Sequence, residues 1–195
     1  DAEGTYEAVL TDGQRTIVLE PVGIAVEDRR PFASPAYGYE FFEGEESLVE
    51  LAPRPGEETM RIEDIEAKIE ELGSDLALVL WPGVQYRTGQ VFDLQAITAL
   101  GHFYGCTVGF DLAHAAGNLP LQLHDSGADF AAWCSYKYLN SGPGSLACAF
   151  VHERHAQADL PRFNGWWGHR QDTRFKMGSD FQGPPGAAGW QLSNP

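Results

Sequence analysis

WCSYKYLNSGPG, residues 133–144, places a lysine between two tyrosines at the end of an apolar run, Phe130, Ala131, Ala132, Trp133 and Cys134, and closes with a Gly/Pro-rich turn. A short apolar run bounded by turn residues reads as a buried strand, so Lys137 falls just past a strand's carboxyl end. Aromatic walls and little water favour the neutral amine and lower the pKa of the group. The neutral amine is the form that attacks a carbonyl, which makes Lys137 a Schiff-base candidate. The same residues also fit a lysine whose stem covers aromatic surface while its head stays in water.

Upstream, TVGFDLAHAAGN at 107–118 is a β-rich apolar run ending in Asp111, with an expected helical turn from about residue 112 that carries His114. A carboxylate at the end of a buried strand needs a cation or a strong donor. A protonated pyridine nitrogen is such a donor, and in pyridoxal phosphate chemistry an acid holds the ring nitrogen while a lysine holds the aldehyde carbon. Asp before an Ala-rich turn is equally a good helix N-cap, and His114 equally fits a hydrogen-bonded buried histidine.

Six pieces in one order carry a resemblance: FDLAHAAGN (110–118), LHDSGADFAAWCSYKYLNSGPGS (123–145), FVHERHA (150–156), GWWGH (165–169), TRFKM (173–177) and SNP (193–195). Together with RPGEETMRIEDI and GVQYRTGQVFD they make the chain similar to the kynureninases from about residue 53 to its end. The resemblance implies the aspartate aminotransferase fold: the central part of the large domain of a fold-type-I pyridoxal phosphate enzyme, α/β, with a mostly parallel sheet flanked by helices. It implies pyridoxal 5'-phosphate as cofactor and no metal. It also implies hydrolytic cleavage of the Cβ–Cγ bond of L-kynurenine or 3-hydroxy-L-kynurenine, giving an anthranilate and L-alanine, as in tryptophan catabolism and NAD biosynthesis.

Site roles follow from the same resemblance. Lys137 is the Schiff-base lysine and moves the substrate α-proton, Asp111 faces the pyridine nitrogen, and His114 lies at the cofactor face. Tyr136 binds the phosphate and takes part in proton transfer at the ketone, because a phenol can both donate and relay. Trp166 approaches the cofactor from a neighbouring subunit, implying a homodimer with shared active sites, and Asn194 lines the aromatic pocket; His169 is a weaker candidate. Pro82 stands where the family has a hydroxyl residue, and proline offers no donor. The family's phosphate-gripping segment and its α-carboxylate arginine fall outside 1–195, so this polypeptide is expected to bind cofactor weakly and turn over nothing alone. Two alternatives stay open. One is another fold-type-I enzyme, a cysteine desulfurase or aminotransferase; the other is an inactive fragment serving only as a structural or interaction domain.

The 195 residues, with 43% hydrophobic and 12% aromatic content, suffice for a packed core. A net charge of −15 argues against nucleic acid or an anionic membrane as partner. No apolar run is long enough to span a bilayer and no signal pattern opens the chain. Cys106, Cys134 and Cys148 lack metal-ligand spacing and read as buried thiols in a reducing, cytoplasmic compartment.

Residues 1–52 fit the family pattern poorly, with TIVLEPVGIAVED (16–28) as an expected strand pair turning at Gly23 and EFFEGEE (40–46) as an acidic aromatic patch. From Thr59 through Ile62, Ile65, Ile69 and Leu72 the spacing predicts a helix that Gly73 ends. DLALVLW (75–81) predicts a strand buried on both faces, and a second helix, capped by Asp93, runs to Gly105 at C′. Strands at 107–111, 128–134 and 146–152 complete a largely parallel sheet with its site at the strands' carboxyl ends.

Overall fold

The structure is a computed structural model, and it describes residues 8–11, 16–22, 38–42, 49, 51–160, 162–176 and 178–192. The chain divides into two compact units, residues 1–52 with 159–162, and residues 53–158 with 163–195. In the first, β1 (Ala8–Thr11), β2 (Thr16–Val22) and β3 (Gly38–Phe42) form an antiparallel sheet in that order, with Ala8 opposite Leu19 and Val22 opposite Gly38. The strand expected from residue 16 is present. Its partners are β1 and β3, whereas Gly23 and residues 24–28 lie outside the described residues, as do 43–46.

The second unit opens with α1 (Ile62–Leu72), which buries Ile65 and Ile69 and stops at Gly73 with φ +51°. It starts later than the periodicity from Thr59 suggests. The Gln90 side chain holds the Met60 backbone on both sides, accepting from its N–H at 2.8 Å and donating to its carbonyl at 2.5 Å, which ties this segment outside the helix. α2 (Leu94–Phe103) begins as read: the Asp93 carboxylate accepts from the Ala96 N–H at 3.0 Å, and Gly105 follows the helix with φ +81°. A side-chain oxygen that satisfies a free N–H of the first turn is what fixes a helix start.

β4 (Leu78–Pro82), β5 (Thr107–Asp111), β6 (Phe130–Cys134) and β7 (Ala147–Val151) form a sheet in that order. β4 and β5 are parallel, as are β5 and β6, while β7 returns antiparallel to β6. Val79, Val108, Phe110 and Ala131 are buried on one face, where Gly101 of α2 presses so close to Val108 that a Cβ there would sit 2.4 Å from its Cγ2. Burying a side chain such as Phe110 contributes roughly 1.5–3 kcal/mol. The other face is not buried as expected for β4: Leu80 and, across the sheet, Ala132, Ala147 and Ala149 are exposed. Between 112 and 118 the expected helix is replaced by hydrogen-bonded turns. The Leu112 carbonyl accepts from Ala115 and Ala116, and Gly117, at φ +80°, takes the chain out of the right-handed region. α3 (Leu123–Ser126) is a single turn before β6.

At the amino end of β6 sits a buried carboxylate that the sequence reading passed over. Asp129 Oδ2 accepts from the Val108 N–H at 2.8 Å and contacts His102 Nε2 at 2.7 Å. Its Oδ1 contacts His155 Nε2 at 2.8 Å and lies 3.4 Å from Arg154. Burial pushes this carboxyl up, but the Val108 N–H and the two histidines outweigh it and hold it below the usual carboxylate range. The cysteines differ from the uniform buried set expected: Cys106 is buried, with its thiol raised by desolvation, Cys134 is half-buried and Cys148 exposed.

Candidate active site

The carboxyl ends of β4, β5 and β6 point the same way because the three strands are parallel. Three segments leave them together: the loop after β4 with Tyr86, the turn after β5 with Asp111 and His114, and the loop after β6 with Tyr136, Lys137 and Tyr138. Asp111 pairs across the sheet with Pro82 and Ala132, at the last registered position of each neighbour's approach.

Asp111 is exposed, and its Oδ1 accepts from the Ala113 N–H at 2.8 Å. The cap reading is thus met at one oxygen, and Oδ2 has no partner among the described residues. His114 is half-buried, its backbone carbonyl accepting from Asn118 Nδ2 at 3.1 Å. Its ring lies 5.9 Å from that of Tyr86 and 6.2 Å, edge-on, from that of Tyr138. Burial lowers the imidazole pKa, the Lys137 ammonium lowers it further, and Asp111 opposes both. The imidazole is therefore biased to its neutral form.

Lys137 is half-buried, with its Nζ 5.9 Å from the Tyr136 ring centroid and no ion pair among the described residues. The aromatic walls are more open than expected, since Tyr136 and Tyr138 are 52% and 46% exposed. The neighbouring Cys134 side chain raises the Tyr136 phenol. The loop is closed by the Asn140 N–H donating to the Lys137 carbonyl at 3.0 Å, with Asn140 itself at φ +56°, a conformation asparagine tolerates.

Of the residues read from sequence, the structure brings Asp111, His114, Tyr136 and Lys137 to one end of the sheet. Trp166, expected to reach the cofactor of a neighbouring subunit, makes its described ring contacts within its own segment. Trp166 sits in the 165–174 segment, 42% exposed, edge-on to Phe175 at 5.4 Å. Arg174 lies 6.0 Å from the Trp166 ring and 4.5 Å from that of Trp167, and donates to the backbone carbonyls of Trp167 and His169. His169 bonds Thr173 Oγ1 at 3.0 Å. Asn194 lies outside the described residues. Tyr86 was missed as a site residue, although its place in the loop beyond β4's carboxyl end was a usable signal.

This donor set fits a pyridine ring bearing an aldehyde. A carboxylate with a spare oxygen can accept from a ring nitrogen, a lysine without a salt-bridge partner can take the aldehyde carbon, and a neutral imidazole can lie on the ring. Among the described residues no group of three or more His, Cys, Asp or Glu side chains could hold a metal ion, and no helix is long and apolar enough to cross a membrane.

The aminotransferase class-V family model matches residues 47–179. The kynureninase of Myxococcus xanthus is 57% identical over 185 residues, covering 93% of this chain and 43% of its own. That of Stenotrophomonas maltophilia is 54% identical over 183 residues, covering 93% and 43%, and that of Koribacter versatilis 61% over 155 residues, covering 79% and 37%. The chain thus spans less than half the length of these relatives. A cysteine desulfurase of Escherichia coli overlays on 68% of this chain and 32% of its own with a TM-score of 0.54 at 19% identity, a likeness of fold. The architecture is that of the fold-type-I pyridoxal phosphate enzymes.

Proposed function

The chain belongs to the aminotransferase class-V family, and we propose that it forms the cofactor-binding core of a kynureninase. That enzyme cleaves the Cβ–Cγ bond of L-kynurenine or its 3-hydroxy derivative to an anthranilate and L-alanine. The observation that carries the reading is the convergence of Asp111, His114 and Lys137 past the ends of two adjacent parallel strands. The similarity to kynureninases at 54–61% identity supports this reaction over the others of the fold.

Pyridoxal phosphate, when bound, supplies an electron sink for negative charge at the substrate α-carbon. The chain's own residues divide the remaining work. Asp111, whose Oδ1 holds the Ala113 N–H, would accept from the pyridine N–H through its other oxygen and keep that nitrogen protonated. Lys137 Nζ would hold the aldehyde carbon and, when free, would move the substrate α-proton. The neutral His114 ring covers one side of the site, where a charged imidazolium would repel the protonated ring. Tyr136 carries a phenol proton at neutral pH, and a phenol can donate to the phosphate or relay a proton at the γ-ketone. Trp166 and Asn194 belong in this reading to the aromatic pocket, with Trp166 serving a second copy of the chain in a cytoplasmic homodimer.

Titration of the chain with pyridoxal phosphate tests the reading. A long-wavelength absorbance band of lysine-bound aldehyde is expected in the parent and absent in Lys137→Ala. Anthranilate formation from kynurenine is expected in a chain completed to the relatives' length. An undiminished band in Lys137→Ala, or a completed chain that binds cofactor and leaves kynurenine intact, sinks the proposal.

A further inference from the structure

We propose that Gly117 is a positioning residue, whose missing side chain lets the Lys137 loop close onto the His114 turn and sets the spacing between the two. The inference rests on the reading that Lys137 and His114 serve one cofactor. Gly117 has φ +80°, and a Cβ there would meet Leu139 Cδ2 at 2.9 Å and the backbone C and O of Tyr138 at 3.0 Å each. A leucine methyl can rotate away, but the Tyr138 carbonyl is main chain and can yield only if the loop moves. Tyr138 adjoins Lys137 in sequence, and the Asn140 N–H bond to the Lys137 carbonyl makes 137–140 a closed turn. Displacement of Tyr138 therefore carries Lys137 with it.

The other side of the contact is equally fixed. Gly117 lies three residues past His114, in turns anchored by bonds from Ala115 and Ala116 to Leu112 and from Asn118 Nδ2 to the His114 carbonyl. The charged groups acting on His114 are Lys137, across this contact, and Asp111, on its own segment, and the Tyr86 and Tyr138 rings face it at 5.9 and 6.2 Å. Gly105 supplies a matched control: its φ is +81°, yet a Cβ there would meet nothing within 4 Å. An alanine at either position meets the same backbone strain. Only at Gly117 does it also push on the lysine loop.

NMR titration of the His114 imidazole in the parent chain, Gly117→Ala and Gly105→Ala separates the two effects without cofactor. In Gly117→Ala the Tyr138 carbonyl and with it Lys137 are pushed away, and the His114 pKa is expected to rise toward its ordinary value. Gly105→Ala is expected to leave it in place. An unchanged His114 titration in folded Gly117→Ala overturns the proposal. Should Gly117→Ala not fold, Gly117→Asn, the side chain that best tolerates a positive φ, carries the test: its Cβ meets the same Tyr138 carbonyl, and an unmoved His114 titration overturns the proposal. Pyridoxal phosphate affinity is expected to be roughly tenfold weaker in Gly117→Ala than in Gly105→Ala. If the parent chain completed to the relatives' length does not bind the cofactor, the functional reading fails, while the His114 titrations still decide the spacing.

Discussion

Two aspartates stand at opposite ends of one parallel sheet, and they have been used in opposite ways. Asp129, at the amino end of β6, is 6% exposed and receives the Val108 N–H and two histidine nitrogens, with Arg154 beside it. Asp111, at the carboxyl end of β5, is exposed, with one hydrogen bond and one oxygen left over among the described residues. A buried charge is tolerated only when its bonding capacity is filled, and a filled carboxylate has nothing left to offer a ligand. The amino end therefore holds the sheet together, tying α2, β5, β6 and the turn after β7. At the carboxyl end one Asp111 oxygen and the Lys137 ammonium are without hydrogen-bond or ion-pair partners among the described residues, and that is where chemistry can occur.

The largest effect that sharpens this contrast is on stability. Asp129→Ala strands two half-buried histidines and an arginine and is expected to cost about 3–5 kcal/mol in urea denaturation. Asp111→Ala is expected to cost less than about 1 kcal/mol, as for an exposed residue with one local bond. Equal losses would erase the distinction between the two ends.

The pH dependence should divide in the same way. The folded-state pKa of Asp129 lies below its unfolded value, so its contribution is fully present above roughly pH 4 and is lost as pH falls through the folded pKa. Asp129→Asn should flatten this acid limb. His114 has a folded pKa below the ordinary 6.5, so the native state binds its proton less readily than the unfolded chain. Stability then falls as pH drops from above 6.5 through the folded value, and His114→Asn should remove a slope worth less than about 1 kcal/mol near pH 6. Stability curves for the two variants over roughly pH 3–8 test both limbs.

How far the sequence disclosed each end follows from the range of the interactions. The Asp93 cap and Gly105 are local chemistry, legible in a window of a few residues, and both are found. The strands at Thr107–Asp111 and Phe130–Cys134 announce themselves as apolar runs between turn residues. The reversed direction of β7 has no such local mark, because it depends on how the 135–146 loop turns back. Nor does burial on a single face, since Leu80 is as apolar as Val79 and only the helices' location separates them. Asp129 was missed because His102 and His155 lie 27 and 26 residues away; an acid leading an apolar run, in Ala-Asp-Phe-Ala-Ala-Trp, is the signal that a partner was needed. Asp111 and Lys137 were legible because each ends its own strand. Tyr86 and Gly117 act through contacts between loops, which no single window contains.

The smallest predicted effect bears most directly on what Asp111 is for. Asp93 and Asp111 each accept a backbone N–H just downstream, from Ala96 at 3.0 Å and Ala113 at 2.8 Å. If both were only caps, they should respond alike to substitution. Asp93→Ala removes a bond at the start of a ten-residue helix and is expected to cost about 1 kcal/mol. Asp111→Asn keeps an oxygen that can accept from Ala113 and is expected to change stability by no more than about 0.5 kcal/mol. It removes the negative charge, however, and an amide cannot hold a pyridine nitrogen protonated as a carboxylate does. Pyridoxal phosphate titration beside urea denaturation should then show weakened binding in Asp111→Asn at unchanged stability, and the reverse in Asp93→Ala. Full cofactor binding in Asp111→Asn would make that residue one more cap and leave the carboxyl end of the sheet without its acid.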